Sequence, residues 1–223
     1  MPSAGLRGRG THGLVRIARG GEDVTRARQR VVATAAGFAV AVACAVTAVV
    51  AASQAGRAAG AVGGPFTLVD DNNAPVTEKT LAGKPYVMYF GYTYCPDVCP
   101  TTLVDLSRWI KQLGPQADKL NYVFVTLDPE RDTPKVLHDY LSSFDSHIRG
   151  LTGTPQQIAE IAKEYRITYK KVPAKSGSYS VDHASIIYLI YADGQFDNVI
   201  AYQEKDAAAL AKLRTLVASI PPS

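Results

Sequence analysis

The chain has 223 residues, of which 47% are apolar or aromatic, with 24 Lys and Arg against 20 Asp and Glu and three cysteines. Its net charge of +4 comes from the first thirty residues, where seven arginines face only Glu22 and Asp23. The remainder is slightly acidic, so the basic balance gives no reason to read the folded part as a nucleic-acid binder.

Residues 1–30 read as a basic arm. Residues 31–52, from Val31 to Ala52, carry no charge and match the ~20 apolar residues of a membrane-spanning helix, although an alanine-rich span is only weakly hydrophobic. The arginines place the arm on the cytoplasmic or matrix side and the rest of the chain across the membrane. The alternative is a cleaved signal peptide ending near Ala51-Ala52-Ser53, for which a thirty-residue basic region is long. A lipoprotein cysteine at Cys44 is disfavoured because the apolar run continues past it, and the residue reads as a small apolar member of the span. Residues 53–64, rich in Ala and Gly with Arg57 as the one charge, read as a tether.

Residues 65–223 then form one domain, long enough to bury a substantial core. Phe66–Val69 reads as a short strand followed by a turn at Asp70-Asp71-Asn72-Asn73, and the continuous apolar run Tyr86–Tyr92 as a strand buried on both faces. Leu103, Leu106, Trp109, Ile110 and Leu113 recur at helical spacing up to Gly114-Pro115. Tyr122–Leu127 is a second buried strand. Asp132-Thr133-Pro134 opens a helix to about Phe144, with a capping residue before a proline at the first helical position. Pro155–Tyr165 is a further helix. Ser185–Tyr191 and Asn198–Tyr202, joined through Ala192-Asp193-Gly194, form a hairpin, and Ala207–Ile220 closes the chain as a helix. Strands alternating with helices, then a hairpin, indicate α/β architecture with a central mixed sheet.

The chemistry concentrates in Gly91-Tyr92-Thr93-Tyr94-Cys95-Pro96-Asp97-Val98-Cys99-Pro100, at a strand-to-helix junction. Each cysteine precedes a proline and is biased away from the α region. The expected geometry is a turn centred on Pro96 and Asp97, with Cys99 at the N-cap and Pro100 as the first helical residue. The helix dipole then favours a thiolate at Cys99. Two such sulfurs either form a disulfide or hold one soft ion, and an ion requires another ligand. His12 lies in the arm across the membrane. His138 and His147 read as surface residues and Met88 as core. His183, in the loop Ser180-Val181-Asp182-His183-Ala184 that feeds a buried strand, has the most suitable position.

GYTYCPDVCPTTL, VTLDPERDTP and YSVDHASIIYLIYADGQF resemble, in order and spacing, the SCO (SenC) family of copper chaperones for cytochrome c oxidase assembly, from about Pro65 to the C-terminus. The resemblance implies a thioredoxin-like fold on the periplasmic or intermembrane-space side, and one copper ion, Cu(I) or Cu(II), held by Cys95, Cys99 and His183. It makes Asp182 either a carboxylate orienting the imidazole or an ordinary loop residue. Asp128, Arg131 and Asp132 match the family's DPxRD stretch and are explained by turn formation and capping. Tyr94 departs from many members.

The implied function is delivery of copper to the dinuclear copper site of cytochrome c oxidase subunit II by a membrane-anchored domain, supplied by an upstream periplasmic donor. The competing reading is a thiol–disulfide oxidoreductase cycling Cys95 and Cys99. Thioredoxin-type enzymes separate their cysteines by two residues rather than three and place a proline before the facing strand, whereas no proline occurs here between Pro173 and Pro221. The acidic residues of the arm suit a bacterial cytoplasmic membrane better than a mitochondrial transit peptide.

Overall fold

The computed structural model describes residues 62–174 and 177–221. The arm, the apolar run 31–52, Cys44, His12 and nearly all of the tether lie outside the described residues. Among the described residues no helix is long and apolar enough to cross a membrane.

The elements in chain order are β1 (Thr67–Asp70), β2 (Pro75–Thr77), the one-turn α1 (Glu78–Leu81), β3 (Tyr86–Gly91), α2 (Val98–Leu113) with a 3-10 extension (Gly114–Lys119), and β4 (Asn121–Thr126). There follow α3 (Pro134–Leu141), β5 (Ile148–Thr152), α4 (Pro155–Glu164), β6 (Tyr169–Pro173), β7 (Tyr179–His183), β8 (Ile186–Ile190), β9 (Phe196–Ala201) and α5 (Asp206–Ala218). Seven strands form one sheet in the order β2-β1-β5-β4-β3-β8-β9, and β6 and β7 form a separate ribbon.

β3 lies inside the sheet because every one of its residues is buried. It pairs in parallel with β4 and antiparallel with β8, the arrangement expected of a continuous apolar run covered on both faces. β4 pairs in parallel with β5, and β5 antiparallel with β1. The result is the mixed, helix-flanked sheet of a thioredoxin-like fold. Leu103, Leu106, Trp109, Ile110 and Leu113 form the buried face of α2, each contributing about 1.5–3 kcal/mol through removal of apolar surface from water. Thr133 caps α3 by accepting from Val136 N–H, with Pro134 next, as its sequence dictates.

The structure corrects two local expectations. α2 begins at Val98, so Asp97 is its N-cap and Cys99 its second residue. Pro100 permits this because a proline in the first turn forfeits only an N–H that has no intrahelical partner. Ser180–Ala184 is no loop: Tyr179–His183 is the strand β7, paired antiparallel with β6 so that His183 faces Tyr169 and Asp182 faces Lys170. The strands β2, β5 and β6 are short and carry no apolar alternation that predicts them.

Candidate metal centre

The C-terminal ends of the parallel strands β3 and β4 and the chain entering β8 meet at one edge of the sheet, where open α/β sheets place their ligands. Beyond β3, the segment 92–97 turns into α2; beyond β4, residues 127–133 turn into α3; and the ribbon delivers His183 just before β8.

Starting α2 at Val98 puts Cys99 on the same face as Leu103 and Leu106, and it is completely buried. Its sulfur lies where a side chain at position 91 would otherwise reach: a Cβ on Gly91 would stand 3.0 Å from Cys99 Sγ and 2.7 Å from the Phe124 ring. Cys95, half-buried in the preceding turn, takes the place of a helix cap. Its Sγ accepts from the backbone N–H of Cys99 at 3.4 Å.

That geometry reverses the expectation for the thiolate. The Cys95 thiol is lowered to about 5, first by hydrogen bonding from Cys99, against burial, and further by the N–H groups of Cys99 and Asp97 and by His183. The Cys99 thiol is pushed up, by its bond to Cys95 and by burial. The charge therefore resides on the more accessible sulfur, and the helix N-terminus acts on Cys95 rather than on Cys99.

His183 Nε2 lies 3.6 Å from Cys99 Sγ, while its Nδ1 is 2.9 Å from the carbonyl oxygen of Ala184. A carbonyl can only accept, so Nδ1 carries a proton and donates, and in the neutral imidazole the Nε2 lone pair then faces the sulfur. With the bond lengths of zinc sites, a thiolate and an imidazole on one ion stand about 3.5–3.8 Å apart. The Cys99–His183 spacing fits. Among the described residues no three His, Cys, Asp or Glu side chains are yet closed around an ion-sized space. Cys95 and His183 instead line one open pocket of about 400 Å³ with Val98, Val181, Asp182, Ser185 and Tyr202.

The remaining candidates lie elsewhere. Met88 is buried in β3. His138 is exposed, 3.8 Å from Asp71, and His147 is held between Asp145 and Asp118 at 2.6 and 2.9 Å. Asp182 does not orient the imidazole. The ring's Nδ1 is bonded to the Ala184 carbonyl instead, and the exposed Asp182 carboxylate lies 3.9 Å from Lys170 Nζ.

The turn 128–132 carries more than capping. Asp132 is fully buried and accepts from Thr93 N–H at 3.0 Å, Thr93 Oγ1 at 2.6 Å and Thr126 Oγ1 at 2.6 Å. It thereby fixes the segment leading to Cys95. Burial holds its carboxyl above the usual range, offset by these hydrogen bonds. Asp128, also fully buried, pairs with Arg131 and accepts from Tyr179 OH at 2.7 Å. Beyond their match to the DPxRD stretch, their sequence signal is two aspartates flanking an arginine, which describes a turn equally well.

The SCO1/SenC family model matches residues 54–218. The chain belongs to the SCO1/SenC family. The mitochondrial SCO2 protein of Saccharomyces cerevisiae is 40% identical over 176 residues, which cover 76% of this chain and 58% of that protein. The chain spans about half the length of the curated relatives it matches. The copper-bound structure of ScoI from Bradyrhizobium japonicum superimposes with a TM-score of 0.66 at 47% identity, covering 70% of this chain and 99% of that one. Copper-bound yeast Sco1 gives 0.67 at 36%, covering 74% and 92%. In this SCO1/SenC chain the two cysteines and His183 converge on the edge of the sheet just described.

Proposed function

We propose that this chain is a copper carrier anchored in a membrane by residues 31–52, which holds one copper ion at Cys95, Cys99 and His183 and passes it to the dinuclear copper site of cytochrome c oxidase subunit II. The observation that carries the reading is the pairing of Cys99 Sγ with a His183 Nε2 whose lone pair is freed by the Nδ1–Ala184 bond. Two soft sulfurs and one neutral imidazole suit Cu(I) and also accommodate Cu(II). The B. japonicum and yeast relatives solved with copper bound support the choice of ion. Here copper is cargo. Cys95, half-buried and with its thiol lowered to about 5, is reached by an incoming thiol from the open pocket that His183 also lines; Cys99 holds the ion from the buried side.

The split in character between the cysteines also favours a second reading. As a reductase, the Cys95 thiolate attacks a partner disulfide, releasing one partner thiolate and forming a mixed disulfide. Cys99 then attacks Cys95 Sγ, freeing the second partner thiol and leaving a Cys95–Cys99 disulfide. An external dithiol has to restore it.

The test is Cu(I) titration of the reduced full chain in detergent against a competing chelator. One equivalent is expected, with tight binding lost in Cys95→Ser and Cys99→Ser and weakened in His183→Ala. Absence of copper uptake combined with catalytic reduction of a disulfide substrate establishes the second reading instead.

A further inference from the structure

Arg131 touches both segments bearing the candidate ligands. Its guanidinium carbon lies 3.9 Å from the centre of the Tyr179 ring and 4.6 Å from that of Tyr94. Tyr94 directly precedes Cys95, and Tyr179 begins the strand that ends at His183. The guanidinium is also fixed by polar contacts. Nε donates to the buried Asp128 carboxylate, whose other oxygen accepts from Tyr179 OH at 2.7 Å, and Nη1 donates to the Tyr179 carbonyl at 3.2 Å. Arg131 is thus bound to the ribbon by stacking and by hydrogen bonds, and to the cysteine segment by stacking on an otherwise exposed tyrosine.

We propose that Arg131, seated between Tyr94 and Tyr179 and anchored on Asp128, is a positioning residue that sets the distance between His183 and the two cysteines. The inference deepens the copper reading and rests on it for its metal-binding arm. The ribbon needs such a fastening. Among the described residues β6 and β7 pair only with each other and stand apart from the seven-stranded sheet, and within them Val181 alone is buried. A two-stranded ribbon is marginal by itself, so the placement of His183 depends on what ties β7 down. Cation–π contact with two rings together with directional N–H bonds calls for arginine. Lysine retains the charge but not the fork or the stacking plane.

The test compares full-chain wild type with Arg131→Lys, Tyr94→Leu and Tyr179→Phe, in both His183 and His183→Ala backgrounds. Tyr94 is a surface side chain, so its replacement leaves the core intact. With His183 present, Arg131→Lys weakens Cu(I) about 10–100-fold, the usual effect of losing a group that orients a ligand, and Tyr94→Leu weakens it about 2–5-fold, the worth of an exposed cation–π contact. In the His183→Ala background the same substitutions cost less than about twofold, because no imidazole remains to position. Amide hydrogen exchange of the metal-free chain supplies the second readout. Arg131→Lys accelerates exchange in residues 179–183 and leaves β3 and β4 unchanged.

Equal losses in both backgrounds, or unchanged exchange in residues 179–183, overturn the inference. If the wild type takes up no copper, the copper reading fails, and the exchange measurement alone decides whether Arg131 holds the ribbon.

Discussion

The division of labour between two cysteines four positions apart follows from where the helix starts. Because Val98 is helical, Cys99 turns into the core and Cys95 receives the free N–H of the first turn. Alkylation of the reduced, metal-free chain, mapped by peptide mass, is therefore expected to modify Cys95 well before Cys99. Its rate should inflect at a pH far below the ~8.5 of an ordinary thiol; preferential labelling of Cys99 contradicts the assignment. Gly91 completes the pocket around the buried sulfur. Gly91→Ala places a methyl 2.7 Å from Phe124 and 3.0 Å from Cys99 Sγ, and overpacking of this kind costs about 1–3 kcal/mol. The urea midpoint should fall accordingly, with weakened copper binding. That the two cysteines and His183 come together was legible because cysteine pairs and a histidine before a buried strand are rare features. Which sulfur is the thiolate was not, since that depends on a helix boundary displaced by only two residues.

At the scale of elements, helices and central strands were readable wherever one periodicity dominated: the apolar face of α2, the Thr133-Pro134 start of α3 and the unbroken run of β3. The ribbon was not, because β6 is polar and exposed along most of its length and offers no alternating pattern. Its strands pair antiparallel over five residues each, with Val181 as the buried residue. A different tie joins the 3-10 extension to the entry of β5. His147 is raised above its ordinary value by the carboxylates of Asp118 and Asp145, so its proton binds the folded state more tightly than the unfolded one. The resulting stability is complete below pH ~6.5 and lost as pH rises through the folded-state value. Because the ring is partly exposed, the effect stays below about 1 kcal/mol. Denaturation midpoints measured from pH 5 to 9 should show a fall above pH ~6.5 that His147→Asn removes.

For the whole molecule, the proposed function requires the domain to be held at a membrane surface, where an oxidase subunit presents its copper site. The uncharged run from Val31 to Ala52 and the arginines before it were legible from hydropathy and charge alone. If they anchor the chain, it stays with the membrane pellet after an alkaline carbonate wash, and a variant lacking residues 31–52 is recovered in the supernatant. Release of the full chain by the wash contradicts the anchor. Membership of the SCO1/SenC family was equally legible, because three motifs recur in order around the same sheet edge. The Arg131 contacts between Tyr94 and Tyr179 were hidden, since they join residues far apart in the chain through stacking that no spacing rule encodes.

The central claim is that one ion is held by two sulfurs and one imidazole nitrogen. X-ray absorption at the copper edge of the Cu(I)-loaded full chain, for wild type and His183→Ala, tests it most directly. The account predicts two sulfur neighbours and one imidazole nitrogen in wild type, with the nitrogen lost in the variant. A wild-type spectrum with a single sulfur, or an imidazole contribution that survives His183→Ala, contradicts it.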